Sequence, residues 1–353
     1  MMPKISGRSS RLLMIICLGL LFLPACAPIK AAGAPPTLKI GLVAPFEGLY
    51  RPLGYETLFG VKLALQEHNQ RGGLNGYKIE LVALNDFDEP DQAKIQAEAL
   101  VADPYVVGVV GHLSIAATQA AWPIYQQADL ALVIPWTWTT AVADSGLDQS
   151  GVVSVAATKA ETTAKLAQLA QAAGYRQVAT VTAARIDPLT PAVEAILLDT
   201  DAVTAGEFIV AWQLAGQARP IFGQPDVGSG QLVQVAGPAA NGLIYVSPGP
   251  APADIAADQF RAAYQALAGF PPGPRAVLAY EATNVLLAAI DRALQEGPAP
   301  PERVKVKAAI NQIQLAGLTG PIAFDGQGRR LNAPLWVYQI SNEAYPGTLI
   351  GSR

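Results

Sequence analysis

From Val106 to Pro135 the chain reads VVGVVGHLSIAATQAAWPIYQQADLALVIP. Val106–Gly111 is a short apolar run of the buried-strand type, and Leu130–Pro135 is another. Between them Ser114 opens a stretch to Gln127 with helical character, and a serine at that point serves as an N-cap. Strand, helix and strand in so short a span make a βαβ unit. Strands apolar on both faces imply a parallel sheet covered by helices on both sides.

The alternation extends in both directions. Toward the N-terminus, LKIGLVAP (Leu38–Pro45) and YKIELVAL (Tyr77–Leu84) read as strands. Helices are expected over Gly54–Asn69, where Leu58, Val61 and Leu65 recur at helical spacing, and over Glu89–Ala102, with Pro90 in the first turn. Toward the C-terminus, GVVSVAA (Gly151–Ala157) leads to a helix over Lys159–Ala173, with Glu161 as a first-turn charge, and to the strand QVATVTA (Gln177–Ala183). Thr190–Asp199 predicts a helix with a capping threonine and a first-turn proline, and DAVTAG (Asp201–Gly206) a strand. Glu207–Ala215 and Ser229–Ala236 follow as helices, and RPIFG (Arg219–Gly223) and GLIYVSP (Gly242–Pro248) as strands. After the break GPAPAD come helices over Asp254–Ala268, Gly273–Gln295 and Pro301–Ile313, then the strands GPIAF and LWVYQI.

These elements predict an α/β chain of two doubly wound parallel-sheet lobes. Composition changes at Thr139–Gly151, Ser247–Ala253 and Gly317–Asp325, which reads as three crossings between the lobes. Residues 37–140 with 252–320 form one lobe, and 150–248 with 321–353 the other. Three crossings make a hinge, and the strand ends line a cleft where a ligand sits.

The N-terminus is an export signal. Lys4, Arg8 and Arg11 precede the apolar run Leu12–Leu23, which is too short to span a bilayer. Residues 1–25 read as the signal peptide, and Leu23-Pro24-Ala25-Cys26 resembles a bacterial lipoprotein cleavage box, with Cys26 as the lipidated residue. Cleavage near Ala32–Ala34 is the alternative. Residues 26–36 form a Pro-rich tether. With Cys17 removed, the mature chain has no second cysteine and no disulfide. Net charge is −4 overall and −7 from Cys26 onward, because Lys4, Arg8 and Arg11 are the charges of the first 25 residues. A weakly acidic surface argues against nucleic acid as partner. His68 and His112 lie apart, without metal-ligand spacing, and no Ser-His-acid set or phosphate loop is present. An enzyme, a metal and a cofactor are therefore not expected.

Six stretches occur in order: IGLVAPFEG, GYETLFGVKLALQEHNQRGGLNGYKIELV, DFDEPDQA, VVGVVGHLSIAATQAAWPIY, AYEATNVLLAAIDRA and GLTGPIAFDGQGRR. Through them nearly the whole mature chain resembles the leucine/isoleucine/valine-type substrate-binding proteins of bacterial ABC transporters, which have the type I periplasmic binding fold. The resemblance implies a monomer that captures an amino acid or related small molecule between its lobes and delivers it to a membrane permease. A sensing or accessory lipoprotein without a transport role is the alternative.

The resemblance also implies a pocket, with departures. A hydroxyl that holds the ligand carboxylate falls at Ile115, with Ser114 one residue earlier. A loop that contacts the amino and carboxylate groups reads Trp136-Thr137-Trp138-Thr139. Thr139 matches, and Trp138 is bulkier than usual. Trp136 and Trp138 wall the ligand or pack between the lobes, and Trp136 reads as core. The acidic residue for the ammonium falls at Pro225, with Asp226 adjacent. Two aromatic positions fall at Glu207 and Arg275, which pair across the cleft unless Arg275 holds a ligand carboxylate. These residues favour a polar or anionic ligand over a branched-chain amino acid. One helix-strand unit of the second lobe is also expected to be missing, since Arg185–Asp199 leaves room for a single helix.

Overall fold

A computed structural model of the chain describes residues 35–136, 150–184, 192–296 and 300–352. The signal segment, Cys26 and most of the tether lie outside the described residues, as do Thr137, Trp138 and Thr139.

The first sheet has the order β2-β1-β3-β4-β5 and is parallel throughout. Its strands are β1 (Thr37–Ala44), β2 (Lys78–Asn85), β3 (Val106–Val110), β4 (Ala131–Ile134) and β5 (Val152–Ser154). Helices α1 (Arg51–Gln70), α2 (Pro90–Ala102) and α3 (Ile115–Gln127) form the crossovers between its first four strands. All five residues of β3 and all four of β4 are buried, as the apolar runs require. On one face Leu38, Ile40 and Leu42 pack with α1 and with two later helices, α8 (Pro274–Glu296) and α9 (Arg303–Ile310). On the other, Val43, Val106 and Val109 pack with Ala97 and Leu100 of α2 and with Ala121, Trp122 and Tyr125 of α3.

The second sheet has the order β13-β12-β9-β8-β7-β6. Its parallel part is β6 (Val178–Val181), β7 (Ala195–Leu198), β8 (Ile221–Gly223) and β9 (Ile244–Ser247). Helices α4 (Lys159–Ala172), α5 (Ala202–Leu214) and α6 (Gly230–Ala236) cover it, with Leu166 and Ala170 of α4 in one apolar cluster and Phe208, Ile209 and Leu232 of α5 and α6 in another. Strands β12 (Trp336–Ser341) and β13 (Ala344–Ser352) add an antiparallel edge. Their turn holds Asn342 and Glu343 at φ of 52° and 54°, the positive pair that a two-residue hairpin needs. The short helix α7 (Asp258–Ala268) and the hairpin of β10 (Leu315–Gly317) and β11 (Gly320–Ile322) complete the described α-helices and strands.

Three expectations are corrected. Thr190–Asp199 is not a helix, because Ala195–Leu198 forms β7, three of its four residues fully buried between β6 and β8. Asp201–Gly206 is not a strand, because Asp201 caps α5 by accepting from the Val203 and Thr204 backbone N–H groups. β7 takes the place in the sheet expected of Asp201–Gly206, so the parallel part keeps the four strands expected and gains none, and among the described residues the crossover from β6 to β7 holds no helix. Val152–Ser154 belongs to the first sheet, where β5 pairs with β4, so the first passage between sheets falls after Ser154 and not over residues 139–151.

The first and third passages run side by side. The Ser154 N–H donates to the Gly328 carbonyl at 2.9 Å. Arg330 in the third passage donates to the Val155 carbonyl at 3.1 Å and to Thr319 Oγ1 at 2.8 Å, and pairs with Glu281 of α8 at 3.4 Å. Both partners are almost fully buried. The Thr319 backbone N–H satisfies Glu281 further, at 2.8 Å.

Candidate functional site: a cleft at the strand ends

The carboxyl ends of β1, β2 and β3 meet those of β7 and β8 around a cavity of about 200 Å³. Parallel strands end in loops on one edge of their sheet, so this is where polar side chains from distant sequence positions converge. From the first sheet, Pro45, Tyr50 and Leu53 follow β1, Asp88 follows β2, and Leu113 and Ser114 follow β3. From the second, Asp199, Thr200, Asp201 and Ala202 follow β7, Asp226 follows β8, and Gln231 stands on α6. Arg275 enters from the first turn of α8. The α1 helix approaches closely because Gly54 has no side chain, and a Cβ there would lie 1.9 Å from the Pro45 carbonyl oxygen.

Ser114 is the N-cap of α3, and its Oγ accepts from the Ala117 N–H at 3.3 Å. The first turn of α3 thus ends at the cleft with backbone N–H groups that have no intrahelical acceptor, a setting that favours a carboxylate. Asp201 is committed to capping α5, and its second oxygen accepts from Thr204 Oγ1 at 2.6 Å. Asp199 pairs with Lys159 at 2.9 Å.

Arg275 is held on every side. Its guanidinium stacks 3.9 Å above the Trp136 ring, donates to the Gly228 carbonyl at 3.3 Å and lies 3.9 Å from Asp226 Oδ1. Its side chain is 4% exposed, so its charge is spent inside the protein. Trp136 Nε1 donates to the same Asp226 oxygen at 2.9 Å. Half of the Asp226 side chain remains open to the cleft. Desolvation by the surrounding protein pushes the Asp226 carboxyl up, against the opposing pull of Arg275 and Trp136.

Asp88 is half-buried, and burial is the main reason its pKa rises to about 6. The charges of Asp86 and Asp226 add to the rise, while a hydrogen bond from Ser114 and the charge of Arg275 oppose it. The Tyr50 hydroxyl is pushed up to about 12, first by burial and then by Asp201, Asp88 and Asp226, so it remains a donor at neutral pH. Beneath the cleft, His112 is buried between Asp86 Oδ2 at 2.7 Å and the Tyr125 hydroxyl at 3.2 Å, which gives it a structural role.

A family model described as periplasmic binding protein matches residues 37–195 and 190–344. The chain belongs to that family. A leucine-, isoleucine-, valine-, threonine- and alanine-binding protein of Pseudomonas aeruginosa is 25% identical over 348 residues, covering 88% of this chain and 92% of that relative. An amino acid binding protein of the same organism is 33% identical over 125 residues, a third of each chain. The fold is also that of a leucine binding protein from Thermotoga maritima, with a TM-score of 0.77, 20% identity, and coverage of 89% of this chain and 98% of that one.

The cavity brings together Ser114, Asp226 and Arg275 of the expected residues, with Trp136 buried behind the guanidinium. Ile115 is partly buried one residue into α3 and does not line the cavity. Glu207 stands exposed on α5, outside the cavity, and does not meet Arg275, whose acidic partner is Asp226. Arg275 lines the cavity, but its guanidinium is 4% exposed and already faces Asp226. An anionic ligand is disfavoured, because four aspartates line the cavity beside one guanidinium already matched within the protein. Tyr50, Asp88, Asp199, Thr200, Asp201 and Gln231 were not foreseen. The signal was the run of acidic and hydroxyl residues at each strand end, DFDEP after β2 and DTD after β7.

Proposed function

We propose that the chain is an extracytoplasmic solute-binding lipoprotein of an ABC transporter. It takes an amino acid or related small polar molecule into the cleft between its two sheets and presents it to a membrane permease. Lipid on Cys26 holds it at the membrane, and no chemistry is done on the ligand. The observation that carries this reading is a cavity to which both sheets contribute polar groups of opposite preference. The α3 N-terminus at Ser114 suits a carboxylate, and Asp88 and Asp226 suit an ammonium. The similarity to amino acid binding proteins over most of the chain supports it. Lobes joined by three passages close on the ligand by hinge motion.

A thermal-shift screen of amino acids, amides, short acids and nucleobase-like compounds tests the reading. A true ligand at about 100 times its dissociation constant adds about 2.7 kcal/mol to stability. Small-angle scattering of the same complex is expected to show a smaller radius of gyration than the free protein. A protein that no amino acid or amine stabilises is not the binder proposed.

A further inference from the structure

We propose that the cleft selects a ligand with two positively charged nitrogens, a basic amino acid or a small diamine, over a neutral amino acid of the same size. This rests on the reading of the cavity as the ligand site. The argument is the charge left over once the protein's own pairs are made. Of the four aspartates lining the cavity, Asp199 is met by Lys159 at 2.9 Å, and Asp226 has Arg275 at 3.9 Å. Arg275 is 4% exposed and stacked on Trp136, so it offers no charge to a ligand. Asp88 and Asp201 have no Lys or Arg partner among the described ion pairs. Asp201 is held by two backbone N–H groups and the Thr204 hydroxyl, which stabilise its charge without cancelling it.

A neutral zwitterion brings one ammonium and one carboxylate, so it leaves that surplus unchanged. A ligand with a second ammonium reduces it. The two carboxylates without a cationic partner come from opposite sheets, Asp88 after β2 and Asp201 after β7, so an elongated ligand that spans the cavity lies near both. The described residues hold no group of three or more acidic, His or Cys side chains able to bind a metal ion, which favours an organic cation spread across the cleft. Asp88 supports the assignment. Burial and neighbouring carboxylates raise its pKa to about 6, and a ligand cation relieves that rise.

Calorimetric titration of the full chain at pH 7.5 with lysine, ornithine, putrescine and norleucine tests this. Norleucine has the length of lysine without the second ammonium. Lysine or ornithine is expected to bind at least tenfold tighter than norleucine, and Asp88→Asn is expected to shrink that ratio several-fold. Raising NaCl from 50 to 500 mM weakens lysine more than norleucine, a readout that survives if the variant does not fold. Putrescine binding without lysine binding assigns a diamine, and lysine binding without putrescine a basic amino acid. Equal affinity for norleucine and lysine overturns the inference and leaves the amino acid reading standing. Binding of none of the four overturns the inference, and the amino acid reading falls with it only when the wider thermal-shift screen also finds no ligand.

Discussion

Replacing Asp88 by asparagine at neutral pH should stabilise the ligand-free protein, although it removes a charged residue from the binding cleft. The unfolded chain releases the Asp88 proton near 3.8 and the folded protein near 6. Between those values the folded state holds the extra proton, so stability falls as pH rises from about 4 to about 6. At 1.36 kcal/mol per pH unit a fully buried carboxyl would lose about 3 kcal/mol. Asp88 is half-buried, and solvent screens part of the effect, so a loss of about 1 kcal/mol is expected at pH 7.5. Asparagine keeps the shape and removes the charge. Thermal unfolding of the ligand-free chain should therefore show Asp88→Asn melting about 2 °C higher than the parent at pH 7.5. The two should coincide toward about pH 3, well below 3.8, where Asp88 is mostly protonated in both states. A variant that melts lower at pH 7.5, or higher by the same amount at both pH values, refutes the reasoning.

Arg330→Met should cost about 3–5 kcal/mol in urea unfolding, because Glu281 is left buried without its cation, and Arg330→Met with Glu281→Leu should recover most of that loss. A single variant as stable as the parent would show that the pair does not hold the passages. Gly54→Ala should cost about 1–3 kcal/mol and weaken ligand binding, since its Cβ collides with the Pro45 carbonyl at the cleft. An unchanged melting temperature would contradict the close approach of α1. Cys26→Ala should move the protein from the membrane fraction to the soluble fraction with its melting temperature intact, and palmitate-analogue labelling that persists in the variant would exclude Cys26 as the anchor.

The apolar runs made the first sheet legible, because fully buried parallel strands such as Val106–Val110 leave no polar alternation to misread. The stretch from Thr190 to Gly206 misleads for a physical reason. Thr190-Pro191 has the chemistry of a helix start, yet AILL is a four-residue buried run whose period does not distinguish strand from helix. The true cap, Asp201, lies eleven residues on and opens α5. Strand β13 escaped because its residues alternate between exposed and partly buried at a sheet edge, with no apolar run to mark them. Within the site, Ser114 was legible as a cap and Asp226 through the family resemblance. Asp88 and Asp201 come from loops more than 100 residues apart, and their meeting is set by the packing of two sheets, which no local pattern encodes.

The most direct test of the central claim is a crystal structure of the protein with the ligand that stabilises it. The account predicts density in the cavity at the strand ends, touching Asp88 or Ser114 from the first sheet and Asp226 or Asp201 from the second. Ligand in contact with one sheet alone, or seated in the separate groove by Trp212 and Arg219, would contradict it.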